Sequence, residues 1–230
     1  MTKICAFGDS VLKGIILEND KYKISKNSFS NICENTLGIS VQNKAKFGST
    51  IKVGTKSLQR NIVDLENTDY DYIILEFGGN DCDFNWKEIS KNPDKKHIPN
   101  STIEDFRIAY TDLINQIKKL GKNPVLMSLP PIDANLYFEK ITKGLNSQNI
   151  LKWMKGNKQY IANWHERYNL EVFKLAIVNN ISIIDITSKF LEEKLYKKYL
   201  CKDGIHPNEE GHKLIVEEIK EHIKNKNIKL

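Results

Sequence analysis

The sequence predicts an α/β protein built on a parallel sheet, and three observations carry that expectation. Short apolar runs of strand length recur along the chain. Between them lie longer segments whose apolar residues fall three and four apart, the period of a helix with one buried face. No internal repeat and no Gly/Ser/Pro-rich linker interrupts the 230 residues, so one domain over 1–230 is the economical reading.

Five strands are expected, over residues 3–7, 39–45, 72–77, 123–129 and 181–186. The third, YIILEF, is the clearest, with Asp71 before it and Gly78-Gly79 after it. The fourth stops at Pro130-Pro131. A helix capped by Ser101 or Thr102 runs to Leu120, because Phe106, Tyr110, Leu113, Ile114 and Ile117 line one face and Gly121 follows. Residues 160–179 and 209–224 have the same pattern. Two segments, 82–100 and 132–159, are longer than ordinary connections. Both leave the carboxyl ends of strands, where open α/β sheets place ligands, so they read as insertions beside a site.

Composition narrows the function classes. A net charge of +6 arises from lysines scattered among Asn and Ile, as A/T-rich coding alone would give, with no dense basic patch and no interleaved aromatics. A nucleic-acid partner is therefore not expected. The run from Lys220 to Lys229 reads as a solvated helix end. Cys5, Cys33, Cys82 and Cys201 are widely separated, so thiolate ligation of a metal is not expected. The opening MTKICAFGDS has no charged n-region before a long apolar run, and no stretch could span a bilayer; a cytoplasmic protein with reduced thiols is expected. The sequence offers no reading of oligomeric state.

Three motifs stand at the ends of expected elements. Gly8-Asp9-Ser10 follows the first strand, Gly78-Gly79-Asn80-Asp81 the third, and Asp203-Gly-Ile-His206-Pro precedes the last helix. A serine hydroxyl becomes a useful nucleophile when an imidazole takes its proton, and the imidazole needs a carboxylate to hold its tautomer. Asp203 and His206 are three apart on a loop tightened by Gly204 and Pro207, so one turn can join them. The Ser10 backbone N–H, the Asn80 side chain and a glycine N–H such as that of Gly48 can serve a developing oxyanion. Taken singly, each residue has a plainer reading: Ser10 as a helix cap, Asn80 and Asp203 as turn formers, His206 as a loop histidine. Their order and spacing together favour the chemical one.

In that order, FGDS, NKAKFGST, GGND and DGIHPNEEGH resemble the successive blocks of the SGNH/GDSL hydrolases across almost the whole chain. The resemblance implies a flavodoxin-like three-layer α/β/α sandwich with a five-stranded parallel sheet. It also implies Ser10, Gly48, Asn80 and His206 as the four name-giving positions, Asp203 as the acid of a triad, and no cofactor or metal. The substrate expected is a small-molecule or carbohydrate ester, either an acetylated carbohydrate or another short-chain acyl ester. Lysophospholipid and thioester hydrolysis fit the same machinery, and the rival class is a catalytically silent carbohydrate- or lipid-binding module on the same fold. Asp9, Asp81, Tyr137 and Trp153 are the candidate substrate contacts. The aromatics Tyr137, Phe138, Trp153, Tyr160, Trp164 and Tyr168 fit a groove or a core equally well, and His165, His212 and His222 read as helix residues at the surface, in a groove or in packing. Two departures from the family pattern stand out. Val11 and Leu12 make the rim after the serine more apolar, and Glu76 occupies a strand position where an apolar residue is usual, facing either the site or a helix edge.

Overall fold

The computed structural model describes residues 2–227; the last residues of the basic run that ends at Lys229 lie outside them. Among the described residues seven strands and eleven α-helices follow one another. They are β1 (Lys3–Gly8), α1 (Ser10–Lys13), β2 (Ile15–Glu18), β3 (Lys21–Ile24), α2 (Phe29–Leu37), β4 (Ser40–Asn43), α3 (Ile51–Arg60), α4 (Ile62–Asn67) and β5 (Tyr72–Glu76) in the first third. Then come α5 (Trp86–Lys91), α6 (Ile103–Lys119), β6 (Pro124–Met127), α7 (Ala134–Thr142), α8 (Ser147–Trp153), α9 (Gln159–Asn179), β7 (Ile183–Ile184), α10 (Ile186–Leu191) and α11 (Glu209–Asn227). A short 3₁₀ turn, Tyr196–Tyr199, precedes the last helix.

Five strands form one parallel sheet in the order β4-β1-β5-β6-β7, the flavodoxin-like arrangement expected. Side chains alternate between its faces. Ile4 and Ala6 of β1 join Ile74, Val125 and Met127 in a core shared with α2, α10 and α11. Cys5 and Phe7 join Ile73, Leu75 and Leu126 in a second core under α3, α6 and α9. Buried on both faces, these strands lack the polar alternation of a half-exposed sheet, and that is why they read as unbroken apolar runs.

The caps explain several boundaries. Thr102 accepts the Asp105 N–H at 3.1 Å and starts α6 where expected. Asp185 accepts the Ser188 N–H at 2.9 Å and starts α10, which cuts the fifth strand from the expected 181–186 to two residues. A two-stranded antiparallel ribbon, β2-β3, was not expected; its turn is Asn19-Asp20, both at positive φ (50° and 58°), as a tight two-residue hairpin requires. The two long segments are also helical in part, α5 in the first and α7 and α8 in the second. Their apolar side chains build a third core around Phe84, Ile89, Phe138 and Ile150. Among the described residues no helix is long and apolar enough to cross a membrane.

One close approach fixes α3 on the end of β5. Gly54 faces the Phe77 ring, and a Cβ there would stand 2.3 Å from its Cζ. Gly54→Ala should therefore lower the unfolding free energy by roughly 1–3 kcal/mol, the usual cost of overpacking, even though alanine is the better helix former. Urea denaturation reads this directly; an unchanged or raised midpoint would show that α3 can shift without cost.

Candidate active site

Ser10 lies where β1 ends at the carboxyl edge of the sheet. Asp9 caps the short helix that follows, accepting the Val11 N–H at 2.8 Å, and this holds the serine at the turn. His206 comes from the loop before α11. That loop is closed by a hydrogen bond from the Cys201 N–H to the His206 carbonyl (2.7 Å) and by a bridge between Leu200 and Pro207. Gly204 sits inside it at φ 75°, and a Cβ there would meet the Asp133 carbonyl at 2.8 Å and the Tyr137 nitrogen at 2.9 Å. Only glycine lets the loop press against the start of α7 in this way.

The three side chains make one chain of hydrogen bonds. His206 Nε2 is 2.8 Å from Ser10 Oγ, and His206 Nδ1 is 2.7 Å from Asp203 Oδ2. The other Asp203 oxygen accepts the backbone N–H groups of Ile205 and His206, each at 3.1 Å. Burial raises the Asp203 pKa, but the His206 ring and these two N–H groups outweigh it, so the carboxyl lies below its ordinary value. Tyr22 and Phe47 flank the imidazole, with ring centroids 5.2 and 6.0 Å away.

Asn80 follows β5 and donates from Nδ2 to Asp9 Oδ2 at 2.9 Å, while its backbone carbonyl accepts from Asn100 Nδ2 at 2.9 Å. Gly48 lies in the exposed turn after β4; its neighbour Phe47, not Gly48 itself, lines the cavity. Asp81 turns away from the site. Fully buried, it takes the Ile51 N–H at 3.0 Å and the Ser101 hydroxyl at 2.6 Å, and so ties α3 to the start of α6. Burial pushes its carboxyl up to about 7 against those donors. The expected substrate contact at Asp81 is thus replaced by a structural anchor.

Ser10 and His206 open onto a cavity of about 200 Å³. Phe84, Trp86, Tyr137, Tyr160, Trp164 and Ile132 form much of its wall. Tyr137 lines it as expected, and its hydroxyl binds Asp83 Oδ1 (3.0 Å), which also takes the Trp86 indole N–H (2.6 Å). Trp153 does not reach the cavity: it stands behind the wall, its ring against Phe84, Trp86 and Tyr160. Phe138 and Tyr168 also belong to the packed cores, so the aromatic segment divides between groove and core. Val11 lines the cavity, but Leu12 is buried in the first core and adds nothing to the rim.

Several lining residues escaped the sequence reading of the site, among them Tyr22, Phe47, Asp83, Phe84 and Trp86, whereas His165 takes the groove position that was one of its readings. The hairpin that carries Tyr22 was itself unforeseen. Asp83 had a usable signal, a carboxylate beside the aromatics of the first insertion. His165 is buried in the groove wall, and burial pushes its imidazole down to about 4, so it is neutral near pH 7. His212 is fully buried in packing. Glu76 faces the site, which resolves the choice left open by the sequence.

The sequence matches the family model described as GDSL-like lipase/acylhydrolase over residues 4–219. The chain belongs to that family. No curated protein matches the sequence. Among solved structures, this acylhydrolase-family chain is similar to a lipase/acylhydrolase from Enterococcus faecalis, with 19% identity, a TM-score of 0.67, and coverage of 98% of this chain and 97% of that one. It is also similar to an acetylxylan esterase from Geobacillus stearothermophilus, solved as a catalytic mutant, with 18% identity, a TM-score of 0.65, and coverage of 96% and 94%. At such identities the likeness is one of fold.

The Asp203 environment has a consequence for stability. A carboxyl whose pKa is lowered by folding adds stability above its unfolded pKa of about 4 and loses it as pH falls through the lower folded value. Asp203→Asn should therefore be less stable than the native protein near neutral pH, and the gap should narrow below pH 4. Urea midpoints between pH 3 and 7 test this; a gap of constant size would place the effect elsewhere.

Proposed function

We propose that the protein hydrolyses a carboxylic ester through an acyl-enzyme on Ser10, with His206 as the base and Asp203 as its orienting acid. The observation that carries this reading is the continuous hydrogen-bond chain from Ser10 Oγ through His206 to Asp203, at 2.8 and 2.7 Å, opening on a cavity. With Nδ1–H donating to Asp203, the ring presents an unprotonated Nε2 to the hydroxyl. As Oγ attacks the ester carbonyl, Nε2 takes its proton. The tetrahedral intermediate collapses, the C–O bond to the alcohol breaks, and His206 returns the proton to the leaving alkoxide. A water then attacks the acyl carbon with the same base assistance, and Ser10 regains its proton as the acid leaves.

The backbone N–H groups of Ser10 and Gly48 and the Asn80 side chain are the proposed oxyanion donors. Asn80 has two N–H groups; Asp9 occupies one, which leaves the other for the oxyanion. The wall chemistry supports the substrate class, an acetylated carbohydrate or another short-chain acyl ester. Aromatic faces at Trp86, Tyr137 and Trp164 suit a sugar ring, while Asp83 and the neutral His165 can exchange hydrogen bonds with hydroxyl groups. A cavity of about 200 Å³ holds a small acyl group and part of a ring alcohol.

Ser10→Ala should abolish turnover of p-nitrophenyl acetate while the circular dichroism spectrum is unchanged; substantial activity in the folded variant would remove Ser10 from its role. Asn80→Ala should lower kcat by about 10²–10³ and leave KM nearly unchanged, because the donor acts mainly in the transition state. An effect confined to KM would make Asn80 a ground-state contact. For the substrate, p-nitrophenyl esters of graded chain length run beside acetylated xylooligosaccharides should show kcat/KM falling beyond short chains; a steady rise with chain length would favour a lipid ester instead.

A further inference from the structure

Glu76 has no part in the steps above, yet it is 1% exposed at the carboxyl end of β5, beside Gly8 of β1. Its Oε2 accepts one long hydrogen bond, from the Asp9 N–H at 3.4 Å. Its Oε1 is buried with no hydrogen-bond partner among the described residues. The neighbouring acid is Asp9, 3% exposed, and both of its oxygens are engaged, Oδ1 by the Val11 N–H (2.8 Å) and Oδ2 by the Asn80 side chain (2.9 Å). Among the described residues neither carboxyl is paired with a lysine or arginine.

Two adjoining buried carboxyls without a countercharge cannot both ionise at modest cost; one proton on the pair turns the repulsion into a hydrogen bond. Burial, then the Asp9 charge and the contact with its carboxyl, hold Glu76 well above the carboxylate range, so Glu76 is the member that keeps the proton. Burial leaves Asp9 above its ordinary value as well, but the Val11 N–H, Glu76, His206 and Asn80 all favour its ionised form and hold the rise below that of Glu76.

We propose that Glu76 is a positioning residue: it carries the single proton of an Asp9–Glu76 acid pair, and through it Asp9 is fixed as the acceptor that orients the Asn80 amide toward the oxyanion. This rests on the reading of Asn80 as an oxyanion donor. The geometry explains why an acceptor is needed there. A flipped Asn80 amide would set its carbonyl oxygen against Asp9 Oδ2, so the carboxylate selects the rotamer that aims N–H groups at both Asp9 and the cavity. The proton also limits charge. Without it, two negative charges would stand beside the forming oxyanion and oppose it. Among the described residues, the other titratable groups around the pair are Tyr110 from α6, Asp81 and Cys82 after β5, and His206 from the opposite loop; of these only His206 can carry positive charge.

The test is a kinetic cycle on p-nitrophenyl acetate with Glu76→Ala, Glu76→Gln and Asn80→Ala, singly and combined. Glu76→Ala should lower kcat by roughly 10–100-fold, a part of what a whole donor is worth, with KM little changed. Glu76→Gln, whose amide N–H replaces the carboxyl O–H, should restore most of that loss. In the Asn80→Ala background, Glu76→Ala should cost little more, since the effect passes through Asn80. The native kcat should fall on the alkaline side where the pair loses its proton, and Glu76→Gln should lack that fall. An undiminished loss from Glu76→Ala in the Asn80→Ala background, or a Glu76→Gln variant as impaired as Glu76→Ala, would overturn the proposal. If Glu76→Ala does not fold, the pH profile of Glu76→Gln decides, and persistence of the alkaline fall contradicts the pair. No kcat loss in Asn80→Ala alone would overturn the donor role and the pair together, whereas a normal Asn80 effect with an inert Glu76 overturns the pair only.

Discussion

A hydrogen bond between residues 196 apart in the sequence, Ser10 and His206, persists only if the end of β1 and the loop before α11 are fixed to each other. Several contacts do this. β1 is held between β4 and β5 and buried on both faces. The His206 loop is closed on itself through Cys201 and Leu200, and pressed by Gly204 against the start of α7. The β2-β3 ribbon links the two sides, because the Leu17 N–H donates to Cys201 Sγ at 3.3 Å and the Ser25 hydroxyl donates to Glu209 at 2.9 Å. The ribbon follows Ser10 closely in sequence, so a short piece of chain carries its register to the loop that holds His206.

The same constraint explains which parts could be read from the sequence. Ser10, Asn80, Asp203 and His206 stand at turns next to strand ends or a helix start, where Gly, Asp and Asn have local backbone reasons to appear, so motif and geometry coincide. The sheet was legible because strands buried on both faces show as apolar runs. The β2-β3 ribbon was not, since its strands are short and β3 (KYKI) is largely exposed; only Asn19-Asp20 marked the turn. The fifth strand was overextended because ISIIDI contains a capping aspartate whose effect depends on the helix after it.

Side-chain direction was the other limit. Asp81 adjoins Asn80 in sequence, yet one side chain anchors α3 and α6 while the other reaches Asp9 at the cavity. Tyr137 and Trp153 both belong to the long second insertion, but α7 turns one into the cavity and α8 turns the other behind its wall. Composition and spacing carry no record of that difference. Glu76 shows the opposite case: a single carboxylate in an otherwise apolar strand was a legible anomaly, and its place beside Asp9 gives the anomaly a physical role.

The central claim, that Ser10 is an activated nucleophile in a preformed site, is tested most directly by covalent labelling. The native protein is treated with a fluorophosphonate and its intact mass and peptides are measured. The account predicts one adduct per chain, located on Ser10 and absent from Asp203→Ala at matched times of exposure. A folded protein that acquires no adduct, or acquires it on another residue, would contradict it.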